Sequence, residues 1–594
     1  MMKVKNILFI LLIFASSKIY TQGFLHAEGK KILNGKKEEV ILRGIGLGGW
    51  MLQEPYMLQL NGIANNQTNF KNKIVPLIGK ENAERFYDVW LSGHCTKKDI
   101  DSLAKWGFNS VRLPMHYNLF TLPVEEEKNP SENTWLSKGF TLTDSLLSWC
   151  KANKIYLILD LHAAPGGQGS DIPISDRDTA KASLWQSEAN KNKTIALWKE
   201  LARRYANEKW IGGYDLLNET NWGFENPGDK NGCSEKLNTD LKSLLTAITK
   251  EIRTADKNHI IFIEGNCWAN NYNGMFPLWD NNIVVSFHKY WNNNDRSAIE
   301  GVLKIREEQN VPLWMGESGE NSNAWYTDAI SLLETNHIGW AWWPLKKLGS
   351  NNPLQIKQPA GYQKLLKYLR GEEKEMTKTE ATAILMELAK AARIENNILH
   401  PDVVDAMFRQ VHLSETKPYK ANIVRDKFIF YASDYDNGRS GIAYHDKDSG
   451  NYWVSSKKRT SWNKGGQYRN DGVDIGICND SLTNGYSIGW TEEGEWLQYT
   501  LTVPVKGWYT AKVRAKSNAD SLSGTLSFLL DDKKISGDIV LQPNQSITKW
   551  NTTNVKNIWL NKGVNKLRIY IVKGEFDLNY IELQRSSEAS TGKL

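Results

Sequence analysis

Eight short apolar runs, most of them followed by a helical pattern, lie within the first 343 residues of this 594-residue chain. We predict strands at 40–46, 108–113, 155–161, 211–217, 259–263, 283–288, 312–316 and 338–343. Between them, apolar residues recur three or four positions apart, which indicates helices. This alternation favours a parallel sheet, and eight units fit a (β/α)8 TIM barrel that closes near residue 371. A doubly wound open sheet is the alternative, but no glycine-rich phosphate loop follows the first strand.

The chain changes character after residue 371. Thr377 and Glu380 form a capping box ahead of an apolar helical face, and a second helix is predicted over 401–413. Residues 372–425 are therefore interpreted as a helical spacer. From Phe428 onward, apolar and polar residues alternate, with Gly, Asn and Asp clustered between the runs. This pattern predicts an all-β jelly-roll sandwich over 426–584, followed by a tail at 585–594.

The N-terminal segment has the pattern of an export signal. Lys3 and Lys5 precede nine apolar residues at 7–15, and a polar stretch follows at 16–22. The apolar run is too short to span a bilayer, so residues 1–22 are predicted to be a secretory signal peptide. The catalytic domain would then occupy 23–371, and the protein would be secreted, either extracellular or periplasmic. No later stretch is long and apolar enough to cross a membrane.

Composition excludes several classes of function. The net charge is +7, but the basic residues are scattered, so no nucleic-acid partner is expected. The five cysteines are widely spaced, which fits neither a disulfide framework nor a zinc site. At most one or two bridges could form, and small buried thiols are the simpler interpretation. The 24 Trp and 23 Tyr suit both core packing and stacking on sugar rings. We expect a monomer.

Two of the predicted strands end on a glutamate. The stretch 214–217 runs into Asn218 and Glu219, and the strand at 312–316 runs into Glu317. Paired carboxylates at strand ends are what glycosidic bond cleavage requires, one to protonate the leaving oxygen and one to attack the anomeric carbon or activate water. Glu264 and Glu320 hold similar positions, so the position alone does not identify a catalytic group.

Polar and aromatic residues at the other strand ends strengthen this interpretation. They are Arg112, His162, His288, Tyr290 and Trp343. All of them fall at carboxyl ends of predicted strands, the face on which (β/α)8 enzymes carry their active sites. Taken together, the sequence predicts a glycoside-cleaving site at this face.

Residues 24–370 resemble family 5 glycoside hydrolases, retaining (β/α)8 enzymes of the cellulase-like clan. The matching motifs are Arg112 in VRLP, His162 in DLH, the pair Asn218-Glu219, His288-x-Tyr290, Glu317 in GESG and Trp343. Segments 43–55 and 160–169 are similar to the exo-β-1,3-glucanase branch. The resemblance implies that Glu219 is the acid/base and Glu317 the nucleophile, kept ionised by Arg112 and the Tyr290 hydroxyl, with the two carboxyl groups about 5 Å apart.

The same resemblance implies the sugar-binding residues. Asn218 would bond the sugar 2-hydroxyl, and Glu54 would hold another hydroxyl in the innermost subsite. His162 and His288 would bind hydroxyls or tune the carboxylates, and Trp343 would stack on the ring. No metal or cofactor is implied for catalysis. Thr220 and Ser318 depart from the family pattern, which leaves the leaving-group subsites and the linkage open.

Residues 428–583 resemble family 6 carbohydrate-binding modules. The matching stretches are 432–437, 444–446, 468–475, 489–496 and 576–580. The likeness implies a cleft in which Tyr468 and Trp550 stack on sugar and Asn579 bonds its hydroxyls. The usual structural calcium of the module draws on a Glu-x-Glu in the first strand. Tyr431 and Ser433 stand there instead, so calcium would need oxygen ligands from elsewhere.

The function expected is that of a secreted, retaining β-glycoside hydrolase that cleaves β-glucan, linked β-1,3 or β-1,4, and is targeted to polysaccharide by its C-terminal module. One alternative keeps the chemistry and changes the substrate to mannan or a xylan-type hemicellulose. Another, from a different class, is a glycan-binding protein without catalysis. The presence of both Glu219 and Glu317 argues against that second alternative, because a binding protein needs neither.

Overall fold

The computed structural model describes residues 23–586 except 130, 227, 448–461, 518–523 and 543–548. The predicted signal peptide at 1–22 and most of the predicted tail lie outside the described residues. Across the part of the chain that is described, no helix is both long enough and apolar enough to cross a lipid bilayer. An antiparallel hairpin, His26–Glu28 with Lys31–Leu33, precedes the first large domain.

Eight parallel strands close into a barrel, with the last strand pairing with the first. In chain order these strands, β1 to β8, are Arg43–Gly46, Ser110–His116, Tyr156–Ala163, Ile211–Asp215, Ile260–Glu264, Ile283–His288, Leu313–Gly319 and Gly339–Trp343. Nearly every strand residue is buried, because side chains fill the barrel interior and helices cover the outside. The predicted (β/α)8 fold is confirmed.

Helices surround the barrel. Those of eight or more residues up to β8 are Gln67–Ile78, Lys80–His94, Lys97–Trp106, Ser137–Asn153, Glu188–Tyr205, Thr239–Ala255, Glu300–Gln309 and Asn323–Thr335. The apolar spacing of the sequence predicts a helix over 234–254, and the helix begins at Thr239, because Glu235 accepts backbone N–H bonds from the preceding loop. β5 is followed only by the short turn Asn266–Ala269, in which Cys267 and Trp268 have left-handed backbone angles.

The spacer packs on the barrel domain. The helices here are, in order, Tyr362–Arg370, which ends the barrel domain, and Lys378–Ala391, Pro401–Met407 and Arg409–His412, which belong to the spacer. Thr377 caps the second of these by accepting a bond from the Glu380 N–H, and Leu385 and Leu388 share one buried cluster with Trp90. The predicted helix at 401–413 is broken at Phe408, whose ring packs 4.8 Å from that of Phe108 in the barrel core.

The C-terminal domain is a sandwich of two sheets in which most neighbouring strands are antiparallel. One contains Asn422–Ile423, Tyr444–His445, Trp496–Val503, Thr525–Leu530, Lys533–Lys534, Ile539–Val540 and Gly563–Lys573. The other contains Lys427–Tyr431, Ile475–Ile477, Tyr486–Ile488, Gly507–Ser517, Asn551–Leu560 and Phe576–Arg585. Alternate residues of both sheets, such as Tyr499, Val513 and Ile569, form the core between them, as the period-two pattern predicts.

Candidate active site

The carboxyl ends of the barrel strands surround a cavity of about 550 Å³. Seven predicted residues line it: Glu54, His162, Glu219, His288, Tyr290, Glu317 and Trp343. The other two, Arg112 and Asn218, are fully buried and hydrogen-bond to each other at 2.8 Å. The fold therefore brings all nine predicted barrel residues into one site. A second cavity of about 500 Å³, beside His116 and Asp176, contains neither strand-end carboxylate.

Arg112 is the centre of a buried ionic network. Its guanidinium lies 2.8–3.2 Å from four carboxylates, those of Asp160, Asp215, Glu264 and Glu317. Arg112 and its four carboxylate partners come from five different strands, so the pairing of the strands in the barrel fixes the positions of these charges. A buried charge is tolerated only when it is paired and hydrogen-bonded, and here each guanidinium nitrogen has at least one acceptor. The network fixes the plane in which Glu317 and Asn218 lie.

Glu317 receives a donor on each oxygen. The Arg112 Nη1 donates to Oε2 at 2.8 Å, and the Tyr290 hydroxyl donates to Oε1 at 2.8 Å. Burial raises the pKa of Glu317 above its ordinary value, while the positive charges of His288 and Arg112 oppose that rise. The two donors predicted from the sequence are thus in contact with Glu317, although the effect of burial on its pKa outweighs that of the neighbouring positive charges.

Glu219 is held in a left-handed backbone conformation, with a φ of 42°. Its N–H donates to the Glu264 Oε2 at 2.6 Å, and the Asn221 amide donates to its carbonyl at 2.8 Å. Such a conformation costs a non-glycine residue about 1 kcal/mol, so these bonds hold it in place. Glu264, which strand position alone did not distinguish, therefore has a definite place in the site. The signal that could have found it is its position at the end of the strand that follows Glu219.

The two strand-end histidines differ in charge. Burial alone would lower the pKa of His288, but Glu264, Glu317 and Glu219 together raise it well above 6.5. Its Nδ1 lies 2.7 Å from the Glu219 Oε1, and its Nε2 lies 3.2 Å from Glu264. Burial lowers the pKa of His162 to about 3, so His162 is neutral. An imidazolium at position 288 can donate to Glu219, whereas His162 is a neutral dipole.

The pairing of His288 makes stability depend on pH. Because its pKa is raised in the folded state, its stabilising contribution is complete below pH 6.5 and is lost as the pH rises through the folded-state pKa. Between pH 6.5 and the folded-state pKa of His288, we expect the free energy of unfolding to fall by up to about 1.4 kcal/mol per pH unit. Glu264→Gln should lower the pKa of His288 and shift this loss to lower pH. Urea unfolding across pH 6–9 measures it, and an unchanged profile would contradict the assignment.

A surface carboxylate provides the matched control for that experiment. Glu251 pairs with Lys199 at 2.8 Å on the outside of the barrel, where the Glu251 side chain is about one-third exposed. Glu251→Gln removes the same charge without a histidine partner. Its pH profile of unfolding should therefore coincide with that of the wild type.

Glu54, His162 and Trp343 form one wall of the cavity. The indole of Trp343 stacks on the His162 ring, with 5.0 Å between centroids and planes 5° apart. Its Nε1 donates to the Tyr56 hydroxyl at 3.0 Å, and a Cβ on Gly48 would lie only 2.6 Å from the indole, so this position requires glycine. Burial and the charges of Glu317 and Glu219 raise the pKa of Glu54 well above its ordinary value. A protonated Glu54 can donate to a sugar hydroxyl as well as accept from one.

A cross-linked turn closes the opposite side of the cavity. Cys233 and Cys267 form a disulfide, and Cys267, Trp268 and Ala269 all have left-handed backbone angles. The Trp268 indole lines the cavity and donates to Asp171 at 3.2 Å. The expectation of buried thiols holds for Cys95, Cys150 and Cys478 but is wrong for Cys233 and Cys267. Spacing along the chain did not indicate this pair, because the loops after β4 and β5 meet only in the closed barrel.

Glu219, His288 and Glu317 each offer a ligand atom within 4.8 Å of the others, close enough to hold a metal ion. The surrounding charges disfavour a cation there. His288 has a raised pKa, and Arg112 already donates to Glu317, so two positive groups face the same point. We interpret the three residues as an acid–base cluster.

Two of the three sugar-binding residues predicted in the C-terminal domain are buried and the third is half-buried, so the cleft that the resemblance implies stays a prediction. Asn579 is fully buried and donates to Asp480 and to the Leu482 carbonyl, and Trp550 is only 7% exposed. Tyr468 is half-buried and stacks on Tyr486 at 4.5 Å. Among the described residues, no hydrogen bond or ring contact joins any two of the three.

Other aromatic side chains of that domain are exposed. Trp490 is 47% exposed, and the cross-strand pair Trp508 and Trp559 is 36% exposed at each ring. Trp490 has a φ of 46°, a left-handed conformation that turns its ring over Gly465 and Gly476. Exposure could not be predicted for these residues, since Trp496 lies in the same stretch of sequence and is mostly covered by Arg568.

A (β/α)8 barrel with two carboxylates facing each other across a cavity is the arrangement of glycoside hydrolases. Residues 66–349 match the family model "Cellulase (glycosyl hydrolase family 5)", and residues 467–585 match "Carbohydrate binding module (family 6)". The chain is a glycoside hydrolase with a family 5 catalytic domain and a family 6 carbohydrate-binding module. The predicted family resemblance is thus confirmed. The chain is an enzyme and not a glycan-binding protein without catalysis.

Three known proteins show the range of relatives. A Beta-xylosidase of Phanerodontia chrysosporium is 26% identical over 382 residues, covering 58% of this chain and 75% of that protein. Endoglucanase C of Acetivibrio thermocellus is 26% identical over 371 residues, covering 51% and 91%. A Probable glucan 1,3-beta-glucosidase A of Aspergillus niger is 26% identical over 252 residues, covering 42% and 55%.

Proposed function

We propose that this protein is a secreted, retaining β-glycoside hydrolase that cleaves β-glucan. The observation that carries the proposal is the approach of a Glu219 oxygen to within 4.8 Å of a Glu317 oxygen. Retaining enzymes place their carboxyl groups about 5–5.5 Å apart, whereas inverting enzymes need about 6.5–9.5 Å to admit a water molecule. Endoglucanase C and glucan 1,3-beta-glucosidase A are named for glucan substrates, which favours glucan here.

The mechanism has two displacements. In the first, the Glu317 carboxylate attacks the anomeric carbon while Glu219 gives its proton to the departing glycosidic oxygen, which leaves a glycosyl ester on Glu317 and a free alcohol. In the second, Glu219 takes a proton from water, the water oxygen attacks the anomeric carbon, and the ester bond to Glu317 breaks. His288 donates to Glu219 while that group is ionised between the steps. No cofactor enters either step.

The remaining residues of the cavity orient the sugar. The Asn218 Oδ1 accepts from Arg112, so its amide nitrogen is turned towards His162 and the cavity. That nitrogen is placed to donate to the 2-hydroxyl, where contacts strengthen as the oxocarbenium-like transition state develops. Glu54 and His162 provide partners for further hydroxyls, 3.8 Å from each other.

The test is hydrolysis of a panel of β-1,3-, β-1,4-, β-1,6- and mixed-linkage glucans, followed by NMR of the first product. We expect glucan turnover with the β-anomer formed first, because two inversions preserve configuration. The α-anomer appearing first would contradict the double displacement. A β-1,4-xylan belongs in the panel, because the Beta-xylosidase relative supports a xylan-type substrate as the second candidate. Turnover of xylan alone would replace the glucan assignment.

Secretion is part of the proposal. It is supported by Lys3 and Lys5 ahead of the short apolar run at 7–15, the pattern of a cleaved signal. N-terminal sequencing of the exported protein would place the cleavage site.

A further inference from the structure

One buried asparagine of the carbohydrate-binding module bonds directly to the catalytic domain. Asn470 is 2% exposed, and its side-chain nitrogen donates to the Asn321 carbonyl at 2.9 Å and to the Asn323 Oδ1 at 3.1 Å. Its carbonyl accepts from the Asn323 N–H at 2.7 Å, and its own N–H donates to Asp402 at 3.0 Å. Asn470 therefore bonds directly to both the spacer and the barrel.

The groups around Asn470 are arranged to hold it. Asp402, in the spacer helix Pro401–Met407, also accepts from the Asn323 amide at 2.8 Å. Arg469 is 2% exposed, lies over the ring of Tyr435 at 4.1 Å and donates to the Tyr435 carbonyl at 2.7 Å. These contacts are buried and charge-assisted, unlike the water-filled contacts of domains joined by a flexible linker.

Asn470 bonds to the segment that follows β7, the strand that carries Glu317. Asn321 and Asn323 follow β7, which carries Glu317, and Glu320 lies between them and the strand. Glu320 has a φ of 56°, lines the cavity and accepts from Lys347 at 2.6 Å. The Lys347 ammonium in turn lies over the ring of Tyr56, which accepts from Trp343. The loop thus carries one wall of the sugar-binding cavity.

We propose that Asn470 of the carbohydrate-binding module is a positioning residue for the catalytic domain: it holds the loop after β7 so that Glu320, which pairs with Lys347, keeps its place in the sugar cavity. The module then completes the catalytic domain in addition to any contact it makes with polysaccharide. The two catalytic carboxylates are held separately, by Arg112, Tyr290 and His288 of the barrel. Loss of Asn470 should therefore weaken substrate binding more than it slows the bond-breaking step.

The variant Asn470→Asp keeps the shape and removes the side-chain donor, which places oxygen against the oxygens of Asn321 and Asn323. In the full-length protein we expect KM for a soluble β-gluco-oligosaccharide to rise about fivefold or more while kcat changes less than about twofold, the pattern of lost ground-state binding. The milder Asn470→Ser keeps the backbone bonds to Asp402 and Asn323, so a smaller rise in KM is expected. An unchanged KM in both variants overturns the proposal.

Asn565 is the matched control. It is equally buried in the module, but its amide nitrogen donates to the carbonyls of Asn561 and Gly563 and its oxygen accepts from the Asn561 N–H, all within one turn. Asn565→Asp should leave KM and kcat at their wild-type values, and an equal rise in KM there would reduce the effect to general destabilisation.

Calorimetry tests the docking without any substrate, so a wrong glucan assignment leaves this arm intact. The wild type should unfold in one transition and Asn470→Asp in two, because the domains are coupled through this residue. Two resolved transitions in the wild type would overturn the proposal, as would a single transition in Asn470→Asp.

Discussion

Glu317→Gly should reduce hydrolysis on the order of 10⁴-fold or more, because no other group can form the glycosyl ester. The two donors to this carboxylate, Arg112 and Tyr290, would remain and would face the empty space. Azide, a small anion, can enter that space and attack the anomeric carbon of an activated aryl β-glucoside. A single displacement inverts configuration, so the rescued product should be the α-glycosyl azide. NMR of the azide product and the initial rate measure this.

A second variant at the same position tests whether azide rescue requires the space that glycine leaves. Glu317→Gln retains the size of the side chain and can still accept from Tyr290, but its amide neither attacks carbon nor leaves room for azide. It should be as inactive as Glu317→Gly and should not respond to azide. Azide rescue of the glutamine variant, or a β-glycosyl azide from the glycine variant, would mean that Glu317 is not the nucleophile.

Glu219→Ala should slow glycosides with poor leaving groups about 10²–10⁴-fold and those with good leaving groups far less, since only the former need a proton. The His288 Nδ1 lies 2.7 Å from the Glu219 Oε1, so an imidazolium there stabilises the carboxylate that remains after the proton has left. A series of aryl β-glucosides of graded phenol pKa measures the dependence of kcat/KM on the leaving group. An equal loss across the series would contradict the assignment.

The backbone at Glu219 supplies its own control. Its φ of 42° is strained for alanine but not for glycine. Glu219→Gly should therefore lose the same proton transfer as Glu219→Ala and should unfold at the same temperature as Glu219→Ala or at a higher one. Matching leaving-group dependence in the two variants would assign the effect to the missing acid. A loss seen in only one of them would point to the backbone of the loop.

Much of the barrel and its site could be predicted from the sequence. Buried parallel strands consist of near-continuous apolar residues, so the runs at 283–288 and 338–343 indicate their strands almost to the residue. Because every strand of such a barrel ends at the same face, knowing that Arg112 and Glu317 end their strands is enough to expect them close together. The period-two pattern after Phe428 predicted a sandwich for the same reason, since alternate residues enter its core.

Tertiary structure alone decided which groups share a hydrogen bond or a surface. Glu264 holds the Glu219 backbone from 45 positions away, and the Cys233–Cys267 disulfide forms only where two barrel loops meet. The docking of Asn470 on the loop after β7 depends on how two separately patterned domains pack, and the burial of Asn579 against Asp480 depends on how distant segments of one domain pack. Local sequence determines which residues turn inward within an element, because that follows from backbone periodicity. It does not determine which inward or exposed face meets another domain, because that depends on shape and polar pairing between segments far apart in the chain.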